Sequence, residues 1–468
     1  MKKFEYIIFV VLCLLFCVVP SVGMGFGHTE VTTENRTLAS LPEWKKENEW
    51  NQDYFEEFGS YFEDHFAFRN AFVAADSIIQ SKVFHTSNVD TVIVGEEDWL
   101  YYNATLSDYK GENLMTERAL YNAAHNMRLM QDYVEQQGGQ FYLTIAPNKN
   151  SLYGEYMPYY LVGKVSNEKN IVSWVPMLKE LGVSYVDLFE LFENKEEILY
   201  MERDSHWNNK GAVAAYNKIL DAAGKEHQTY QTIPVTRKKD TYGDLNRMVY
   251  PYGGKPEWDY QYNYDWSYQY VTDTKSVEDA WIETRNEKKE GTLLMFRDSF
   301  GNTLLPFFAE AYGNATFSKA IPYTVEPAMK KQQADTVIVE CVERNLNQFA
   351  KEAPLMTGRN VTLGNITEGS VTAATVQTQL AEQNADYITL RGLVDETYIS
   401  GDDKVYLSVE AEGQKEVFET FTVSDAVSDY GYLLYLPVDV WGNKELDVCI
   451  MVGNEEEAQI VYSGKQVM

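Results

Sequence analysis

Between about Leu114 and Glu340 the sequence alternates helical patterns with short apolar runs, and this alternation limits the folds open to the chain. Helical periodicity is visible in ERALYNAAHNMRLMQDYVEQQG, over residues 174–181, from about residue 209 and over residues 300–311. The apolar runs are QFYLTIAP, VSYVDLF, TLLMF and DTVIVE. Strands interleaved with helices form a mostly parallel sheet that is covered on both faces. The pattern therefore predicts an α/β fold whose reactive groups collect at the carboxyl ends of the strands.

The pattern changes on both sides of this region. After residue 353, short alternating runs such as KVYLSVEA and LDVCIMV predict an all-β sandwich over residues 354–468. The segment TVIVGEEDWLYY (91–102) predicts a hairpin that opens an α/β domain over residues 91–353. Before it, residues 25–90 are predicted to be a linker followed by an amphipathic helix, because YFEEFGSYFEDHFAFRNAF places aromatic side chains at helical spacing.

The N-terminus is typical of an export signal. Two lysines precede an apolar run over residues 6–19, which is followed by Pro20 and small residues. Residues 1–24 are compatible with a cleaved signal peptide, for which Ser21 and Gly23 are suitable small residues, or with an uncleaved anchor. In either case the basic flank predicts that the rest of the chain faces outward, at the cell surface or secreted.

Charge and cysteine usage exclude two classes of protein. The formal net charge of −30 repels polyphosphate, so nucleic acid is not expected as a ligand. Outside the N-terminal segment, Cys341 and Cys449 fall in different predicted domains, so no disulfide framework is indicated.

Two short segments carry the candidate chemistry. RDSHWNNKGA (203–212) brings an acid, a hydroxyl, an imidazole and an indole together in a chain with six histidines. In isolation, Asp204 and His206 are compatible with a loop salt bridge, and no H-E-x-x-H motif indicates a metal site. LLMFRDSFGNTLLPFF (293–308) predicts a strand, a turn through Ser299 and an apolar helix. In isolation, Ser299 is compatible with a helix N-cap.

Taken together, the two segments favour nucleophilic catalysis. An imidazole takes a serine proton efficiently when a carboxylate fixes its tautomer, and Asp204 lies two residues before His206. We therefore predict that Ser299 is the nucleophile, His206 the base and Asp204 the residue that orients it, with Trp207 shielding the pair from water. The N–H groups at and after Ser299 are expected to hold an oxyanion, and no metal or organic cofactor is required.

The run from Asp204 to Trp207, followed by Asn208 and Gly211, resembles the signature of the DHHW proteins and of the alginate acetylation proteins AlgJ and AlgX. The resemblance extends over roughly residues 33–350 through NRTLASLP, EDHFAFRN, VGEEDWLYY, APNKNSLY, YGDLNRM, RDSFGN and VIVECVERNL. It implies an SGNH-hydrolase-like fold and polysaccharide O-acetyltransferase activity, with the same three catalytic residues. Two departures are visible: Ser205 replaces the first His of the signature, and Arg297 replaces a Gly, which bears on how the acyl donor approaches.

Further residues are candidate contacts to the substrate or the oxyanion: Lys149, Asn148, Trp207, Gly243, Asn246 and Asn302. Lys149 either steadies a donor or sugar hydroxyl or is a solvated loop lysine. In the segment YGDLNRM, residues Gly243, Asp244 and Asn246 either lend backbone or amide donors to the oxyanion hole or belong to a plain turn. Aromatic residues at every second position from Tyr260 to Tyr270 either stack on sugar rings or pack on their own protein.

We accordingly predict an O-acetyltransferase that acts on an extracellular polysaccharide through an acyl-serine intermediate, with a multi-pass membrane acyltransferase as the acetyl donor. An esterase with the same triad, which uses water as the second nucleophile, is the nearest alternative. A non-catalytic polysaccharide-binding or scaffold protein is the alternative from a different class.

Overall fold

A computed structural model describes residues 2–24, 38–46, 49–193, 197–369 and 371–467. The first part of the predicted linker, residues 25–37, lies outside the described residues. The N-terminal helix contains one segment, Lys3–Gly23, that is long and apolar enough to cross a membrane, a property that signal sequences share. The structure is therefore compatible with both predicted fates of this segment.

The helices of the described residues are α1 (Lys2–Gly23), α2 (Tyr54–His65), α3 (Arg69–Val83), α4 (Leu106–Lys110), α5 (Glu117–Gln136), α6 (Lys149–Leu152), α7 (Tyr159–Val162), α8 (Asn170–Glu180), α9 (Leu188–Glu193), α10 (Asn209–Ala222), α11 (Asp244–Val249), α12 (Gly301–Ala311), α13 (Val325–Gln332), α14 (Gln348–Lys351) and α15 (Val438–Trp441).

The strands up to residue 342 are β1 (Lys45–Lys46), β2 (Glu49–Trp50), β3 (Val92–Val94), β4 (Leu100–Tyr102), β5 (Gln140–Ala146), β6 (Tyr185–Val186), β7 (Val235–Thr241), β8 (Glu257–Tyr262), β9 (Gln269–Tyr270), β10 (Trp281–Arg285), β11 (Thr292–Phe296), β12 (Asn314–Ser318) and β13 (Thr336–Val342). Those beyond it are β14 (Arg359–Asn360), β15 (Asn365–Thr367), β16 (Gln377–Leu380), β17 (Tyr387–Leu393), β18 (Lys404–Ala411), β19 (Gln414–Glu419), β20 (Phe421–Val423), β21 (Gly431–Pro437), β22 (Glu445–Gly453) and β23 (Glu457–Val467).

A seven-stranded sheet in the order β6-β5-β13-β11-β12-β10-β9 forms the centre of the molecule. The strands from β6 to β12 in this order pair in parallel, whereas β10 and β9 are antiparallel additions at one edge. Strands β13 and β11 are buried almost throughout, as a sheet covered by helices on both faces requires. The predicted mostly parallel α/β sheet is confirmed.

The C-terminal region is all-β apart from the short helix α15 and one 3₁₀ turn. A six-stranded sheet (β14-β19-β18-β22-β23-β15) and a four-stranded sheet (β16-β17-β21-β20) enclose a core that includes Leu407, Leu434 and Ile450. Alternating side chains from two sheets fill such a core, which is why the sequence shows period-two runs here. The predicted C-terminal sandwich is confirmed.

The aromatic run at residues 260–270 does not form one continuous strand. Strand β8 ends at Tyr262 and β9 begins at Gln269, with irregular backbone between them. Tyr262, Tyr264 and Tyr268 pack on the core cluster that surrounds α12. The period-two spacing of these residues therefore does not reflect one continuous strand, because the side chains pack against the surface of α12.

Candidate active site

Ser299 lies in a tight turn between β11 and α12, at the carboxyl end of a central strand. The carboxylate of Asp298 fixes this turn. Its Oδ1 accepts the N–H of Phe300 at 2.9 Å, and its Oδ2 accepts the N–H of Val342 in the neighbouring strand β13 at 2.8 Å. The residue before Ser299 thus ties the turn to the sheet.

Gly301 explains why the turn can close so tightly. A β-carbon added at this position would lie 2.6 Å from Cβ of Arg297, closer than non-bonded carbons approach. Arg297 itself is buried, and its guanidinium donates to the backbone oxygen of Val277 at 2.8 Å and to the side chain of Asn302. The residue that departs from the family pattern is therefore held by partners within the protein.

Asp204 and His206 lie in a loop that ends where α10 begins. The side-chain oxygen of Asn208 accepts the N–H groups of residues 210 and 211, both at 3.0 Å, and so caps the helix. The cap fixes the direction in which the loop leaves the helix. The segment that follows the Asp-Ser-His-Trp run in the sequence is thus a helix start that holds the loop in place.

The structure brings the three predicted catalytic side chains together in one hydrogen-bonded chain. Ser299 Oγ lies 2.8 Å from His206 Nε2, and His206 Nδ1 lies 2.6 Å from Asp204 Oδ1. The second oxygen of Asp204 accepts the backbone N–H of Asp244 at 2.8 Å. Two segments that are 93 residues apart in the sequence thus meet with the geometry that a serine, a base and an orienting acid require.

Electrostatics favour a charged Asp204 beside a basic imidazole. Burial raises the pKa of Asp204, but the hydrogen bond and the charge of His206 outweigh it and hold this pKa well below its usual range. Burial lowers the pKa of His206, whereas the hydrogen bond and charge of Asp204, aided by the charge of Asp244, give a net rise. The imidazole is therefore a stronger base than a free histidine.

Asp244 is a second carboxylate at the site. Its Oδ1 accepts the backbone N–H of Ser205 at 2.7 Å, and its Oδ2 accepts the Ser205 hydroxyl proton. Gly243 makes this contact possible, because an added β-carbon would lie 2.3 Å from the backbone oxygen of Arg203 and 2.8 Å from the backbone nitrogen of Asp204. The absence of a side chain at Gly243 therefore lets its backbone pack directly against the loop that carries Asp204.

Asp204, His206 and Asp244 also form the one group of potential metal ligands among the described residues, with one ligand atom from each within 4.8 Å of the others. Hydrogen bonds already occupy these atoms: Asp204 accepts from the imidazole and from backbone N–H groups, and Asp244 accepts from Ser205. A protonated Nδ1 accounts for the short contact between His206 and Asp204. This geometry fits Asp204 as the carboxylate that orients His206.

Lys149 is neither solvated nor directed at a substrate, which corrects both expectations for it. Its buried ammonium donates to three backbone oxygens of the loop 201–204, at distances of 3.1, 3.0 and 2.6 Å. It also lies over the rings of Trp99 and Tyr101. Burial lowers the pKa of Lys149 to about 8. All three protons are used to hold the loop that carries Asp204.

Trp207 is buried, and it supports the site through Phe300. Its indole N–H donates to Thr303 Oγ1 at 2.6 Å, and its ring meets that of Phe300 edge-on at 5.0 Å between centroids. The ring of Phe300 in turn lies 4.7 Å from the His206 ring. The predicted contact of Trp207 with substrate is wrong, because the side chain belongs to the core beneath the triad.

The three candidate asparagines are all buried. Asn148 donates to Asp108 at 3.0 Å, and Asn302 donates to Glu278 at 2.6 Å. The side-chain amide of Asn246 has no hydrogen-bond partner among the described residues, and its backbone N–H donates to the loop at Arg203. The side-chain NH2 groups of Asn148 and Asn302 thus donate to carboxylates of the protein, so the structure gives no support to their expected role as substrate or oxyanion contacts.

The aromatic residues near the site mostly pack on their own protein. Tyr264 and Trp266 meet Tyr230 at centroid distances of 5.2 and 5.8 Å, and Trp266 meets Phe307 at 5.5 Å. Tyr260 lines a cleft of about 620 Å³ beside the loop that carries Asp204, and Tyr262 lines a separate cleft beside α10. The edges of some rings of the run therefore face grooves.

Two residues that shape the site were not singled out from the sequence: Asp298 and Glu340. Asp298 stands inside a quoted motif, so the signal was present. Glu340 ends the apolar run DTVIVE and is fully buried, with one carboxylate oxygen 3.3 Å from the N–H of Asp298. An acid within a buried strand was the signal that could have identified it. Burial and the charge of Asp298 raise its pKa well above the usual range.

Comparison with known families agrees with the predicted resemblance. Residues 92–294 match the family model described as the SGNH hydrolase-like domain of acetyltransferase AlgX, which confirms the resemblance over this segment. The matched segment includes Asp204 and His206 and ends before Ser299. No curated protein sequence gives a significant match.

Several solved structures are also similar to this chain, at low sequence identity. Bacillus cereus PatB1 shares 15% identity over 56% of this chain and 98% of its own, with a TM-score of 0.45. A DHHW family protein from Eubacterium siraeum shares 14% identity over 55% of this chain and 91% of its own (TM-score 0.39). Pseudomonas aeruginosa AlgX shares 14% identity over 78% of this chain and 92% of its own (TM-score 0.38).

Proposed function

We propose that the protein is an O-acetyltransferase that moves an acetyl group to a hydroxyl of an extracellular polysaccharide through an acyl-Ser299 intermediate. The observation that carries the proposal is the hydrogen-bonded chain from Ser299 through His206 to Asp204. The match of residues 92–294 to an acetyltransferase domain supports acetyl as the group that is transferred.

In the first half-reaction His206 Nε2 takes the proton of Ser299 while Oγ attacks the acetyl carbonyl carbon. Asp204 stabilises the imidazolium that forms, and His206 returns the proton to the leaving group of the donor. In the second half-reaction the neutral imidazole takes the proton of a sugar hydroxyl, which attacks the acetyl-Ser299 ester. The cycle ends with Ser299 protonated and the acetyl group on the glycan.

The proposed location follows from the N-terminal segment, which directs the catalytic domain to the outer side of the membrane as an anchored or released protein. An acetyl donor must then be supplied across the membrane, and a multi-pass membrane acyltransferase is the proposed source. The proposed acceptor is a polysaccharide outside the cell, which the cleft beside Tyr260 could contact.

An acetyl esterase with the same triad is the alternative, and it differs only in the acceptor. A transferase must position a dilute hydroxyl so well that it outcompetes abundant water, and such positioning can be worth effective molarities of about 10⁵ M or more. The experiment therefore supplies the full-length protein with 4-nitrophenyl acetate, alone and with a panel of glycans.

A transferase should release nitrophenolate slowly in water, accelerate when a suitable glycan is added, and leave acetyl on that glycan. Ser299→Ala should abolish turnover, and Ser173→Ala, on the exposed side of α8, should leave it unchanged. Rapid release of acetate from an acetylated polymer, with no acetyl recovered on any acceptor, would favour the esterase. If wild type turns over 4-nitrophenyl acetate no faster than Ser299→Ala, the result would favour the non-catalytic scaffold protein.

A further inference from the structure

Arg344 lies at the same edge of the sheet as Ser299. Strands β11 and β13 are parallel neighbours, so their carboxyl ends meet at one edge, and the turn Glu343–Asn345 directly follows β13. The bond from the Val342 N–H to Asp298 joins the two strand ends. A residue two positions after Val342 is therefore close to the nucleophile turn.

The guanidinium of Arg344 is held by aromatic rings. Its central carbon lies 5.3 Å from the ring centroid of Tyr102 and 5.8 Å from that of Phe300, the residue that follows Ser299. The Phe300 ring also contacts the His206 ring. Arg344 therefore stands beside the imidazole, and its charge opposes the protonation of His206.

Arg344 has no counter-charge in the part of the chain that the structure describes. No carboxylate there lies within ion-pair distance of it, and its guanidinium makes no hydrogen bond there. Other half-buried or buried arginines have partners: Arg203 pairs with Asp98, and Arg359 pairs with Glu419. Arg118 and Arg297 have no ion pair but donate hydrogen bonds to backbone oxygens. A half-buried cation next to a nucleophile, in a chain of net charge −30, is thus left with five unused donors.

The nucleophile turn has few donors left for an oxyanion, which corrects the expectation that the N–H groups after Ser299 form the oxyanion hole. The N–H of Phe300 donates to Asp298, and that of Asn302 donates to the Ser299 carbonyl. The N–H of Gly301 lies beside the buried carboxylate of Glu340 and interacts with it electrostatically. Of the N–H groups of residues 298–302, only that of Ser299 has neither a hydrogen-bond acceptor nor a carboxylate beside it among the described residues. One donor is fewer than such sites ordinarily provide.

We propose that the guanidinium of Arg344 completes the oxyanion hole, donating with the Ser299 N–H to the oxygen of the acetyl group under attack. The inference rests on the proposed function. As the bond between Ser299 Oγ and the carbonyl carbon forms, the proton passes to His206 Nε2 and the carbonyl π electrons move onto oxygen. The charge that develops there meets Arg344, and collapse of this intermediate expels the leaving group.

The test follows acetylation in the absence of any glycan. Full-length wild type, Arg344→Gln and Arg344→Lys are mixed with 4-nitrophenyl acetate, and the first turnover of nitrophenolate release is measured. Arg285→Gln removes the same charge from an exposed position on β10 and is the matched control. Arg344→Gln should lower kcat/KM for acetylation by about 10²- to 10³-fold with KM little changed, and Arg344→Lys should retain part of the rate.

A pH profile separates this role from a structural one. Since Arg344 opposes protonation of His206, its removal should move the half-maximal pH of acetylation upward, while the melting temperature stays near that of wild type. Acetylation of Ser299 in Arg344→Gln at the wild-type rate would overturn the proposal. It would do so even if this variant transferred acetyl to a glycan more slowly than wild type. Failure of the wild type to acetylate Ser299 at all would instead overturn the proposed function, and this inference with it.

Discussion

The hydrogen bond and charge of Asp204 raise the pKa of His206, and both side chains are largely buried. The imidazole is bound between Asp204 on one side and the Ser299 hydroxyl on the other. Because the carboxylate is held in its charged form by that same contact, the pair acts as one unit.

Replacing Asp204 with Asn should therefore change the rate and the pH dependence together. Loss of the carboxylate removes the interaction that raises the pKa of His206, so the half-maximal pH of acetylation should move downward. The plateau rate should fall by about 10²- to 10⁴-fold, because the tautomer and the imidazolium are no longer supported. Asp402→Asn, in an exposed loop, should behave as wild type. An unchanged pH profile would show that Asp204 does not orient the base.

Glu257 provides a stability test beside the same loop. It is buried, one of its oxygens accepts the Arg203 N–H at 3.1 Å, and the other has no partner among the described residues. Burial raises its pKa to about 7, so the folded state holds a proton that the unfolded state loses above about pH 4.5. The stability contributed by that proton is lost as pH rises through 7.

Glu257→Gln should consequently stabilise the protein at pH 8 by up to about 3 kcal/mol, and much less at pH 5, where the native carboxyl is protonated. Urea unfolding at the two pH values measures the difference. Glu155→Gln, at an exposed position, should give no such pH-dependent gain. Equal effects of Glu257→Gln at both pH values would contradict the raised pKa.

At this scale the sequence was informative where chemistry is local. The acid and the imidazole stand two residues apart, and the serine occupies a strand-to-helix turn, so residue type and spacing could predict that they lie together. The fate of Lys149 could not, because an ammonium in a loop is solvated or buried depending on segments about 50 residues away in the chain. The same holds for Asn148 and Asn302.

At the scale of elements, the alternation of helices and strands predicted the sheet, but not the antiparallel strands β10 and β9 at its edge. Parallel and antiparallel strands carry the same apolar pattern when both faces are covered, so periodicity does not distinguish them. The spacing of the aromatic residues 260–270 was also a poor guide to their structure. Period-two spacing fits a strand, yet the side chains pack on helix α12.

The contact between α6 and the loop 201–204 is the element-level support of the site. Lys149 opens α6 and satisfies three loop oxygens. Lys149→Met should leave these oxygens without a donor, reducing the free energy of unfolding by about 2–4 kcal/mol and slowing acetylation. The exposed Lys164→Met is the control. Full activity and stability in Lys149→Met would mean that the loop holds its own conformation.

At the scale of the whole molecule, the C-terminal sandwich shares a core with the α/β domain. Phe421 and Tyr435 belong to the same buried cluster as Met127 and Phe349. Beside it, the backbone of Thr422 exchanges hydrogen bonds with the side chain of Asn126. The sequence predicted the sandwich but not this union, because partners about 300 residues apart leave no local pattern.

Glu419 is the charged centre of this interface. It accepts hydrogen bonds from buried His125 in α5 at 2.8 Å and from Arg359, and it pairs with Lys404 at 2.9 Å. Burial raises its pKa, but the bond and charge of His125 and the two cations hold that pKa well below the usual range. The stability it contributes is therefore present at neutral pH and is lost only as pH falls below about 4.5.

Glu419→Gln should destabilise the protein by about 3–5 kcal/mol at neutral pH, because the cations around it lose their partner. The loss should affect both regions together, which limited proteolysis can detect as simultaneous cleavage of the α/β and β regions. Glu412→Gln, exposed at the end of β18, is the control. Cleavage confined to the sandwich would show that the two regions unfold independently.

The most direct test of the central claim is the site at which the protein is acetylated. The full-length protein is exposed briefly to 4-nitrophenyl acetate, quenched in acid, digested and analysed by mass spectrometry alongside Ser299→Ala and His206→Ala. The account predicts one acetyl group on the peptide that carries Ser299, formed rapidly in wild type and absent from both variants. Acetyl on another residue, or equal labelling in Ser299→Ala, would contradict it.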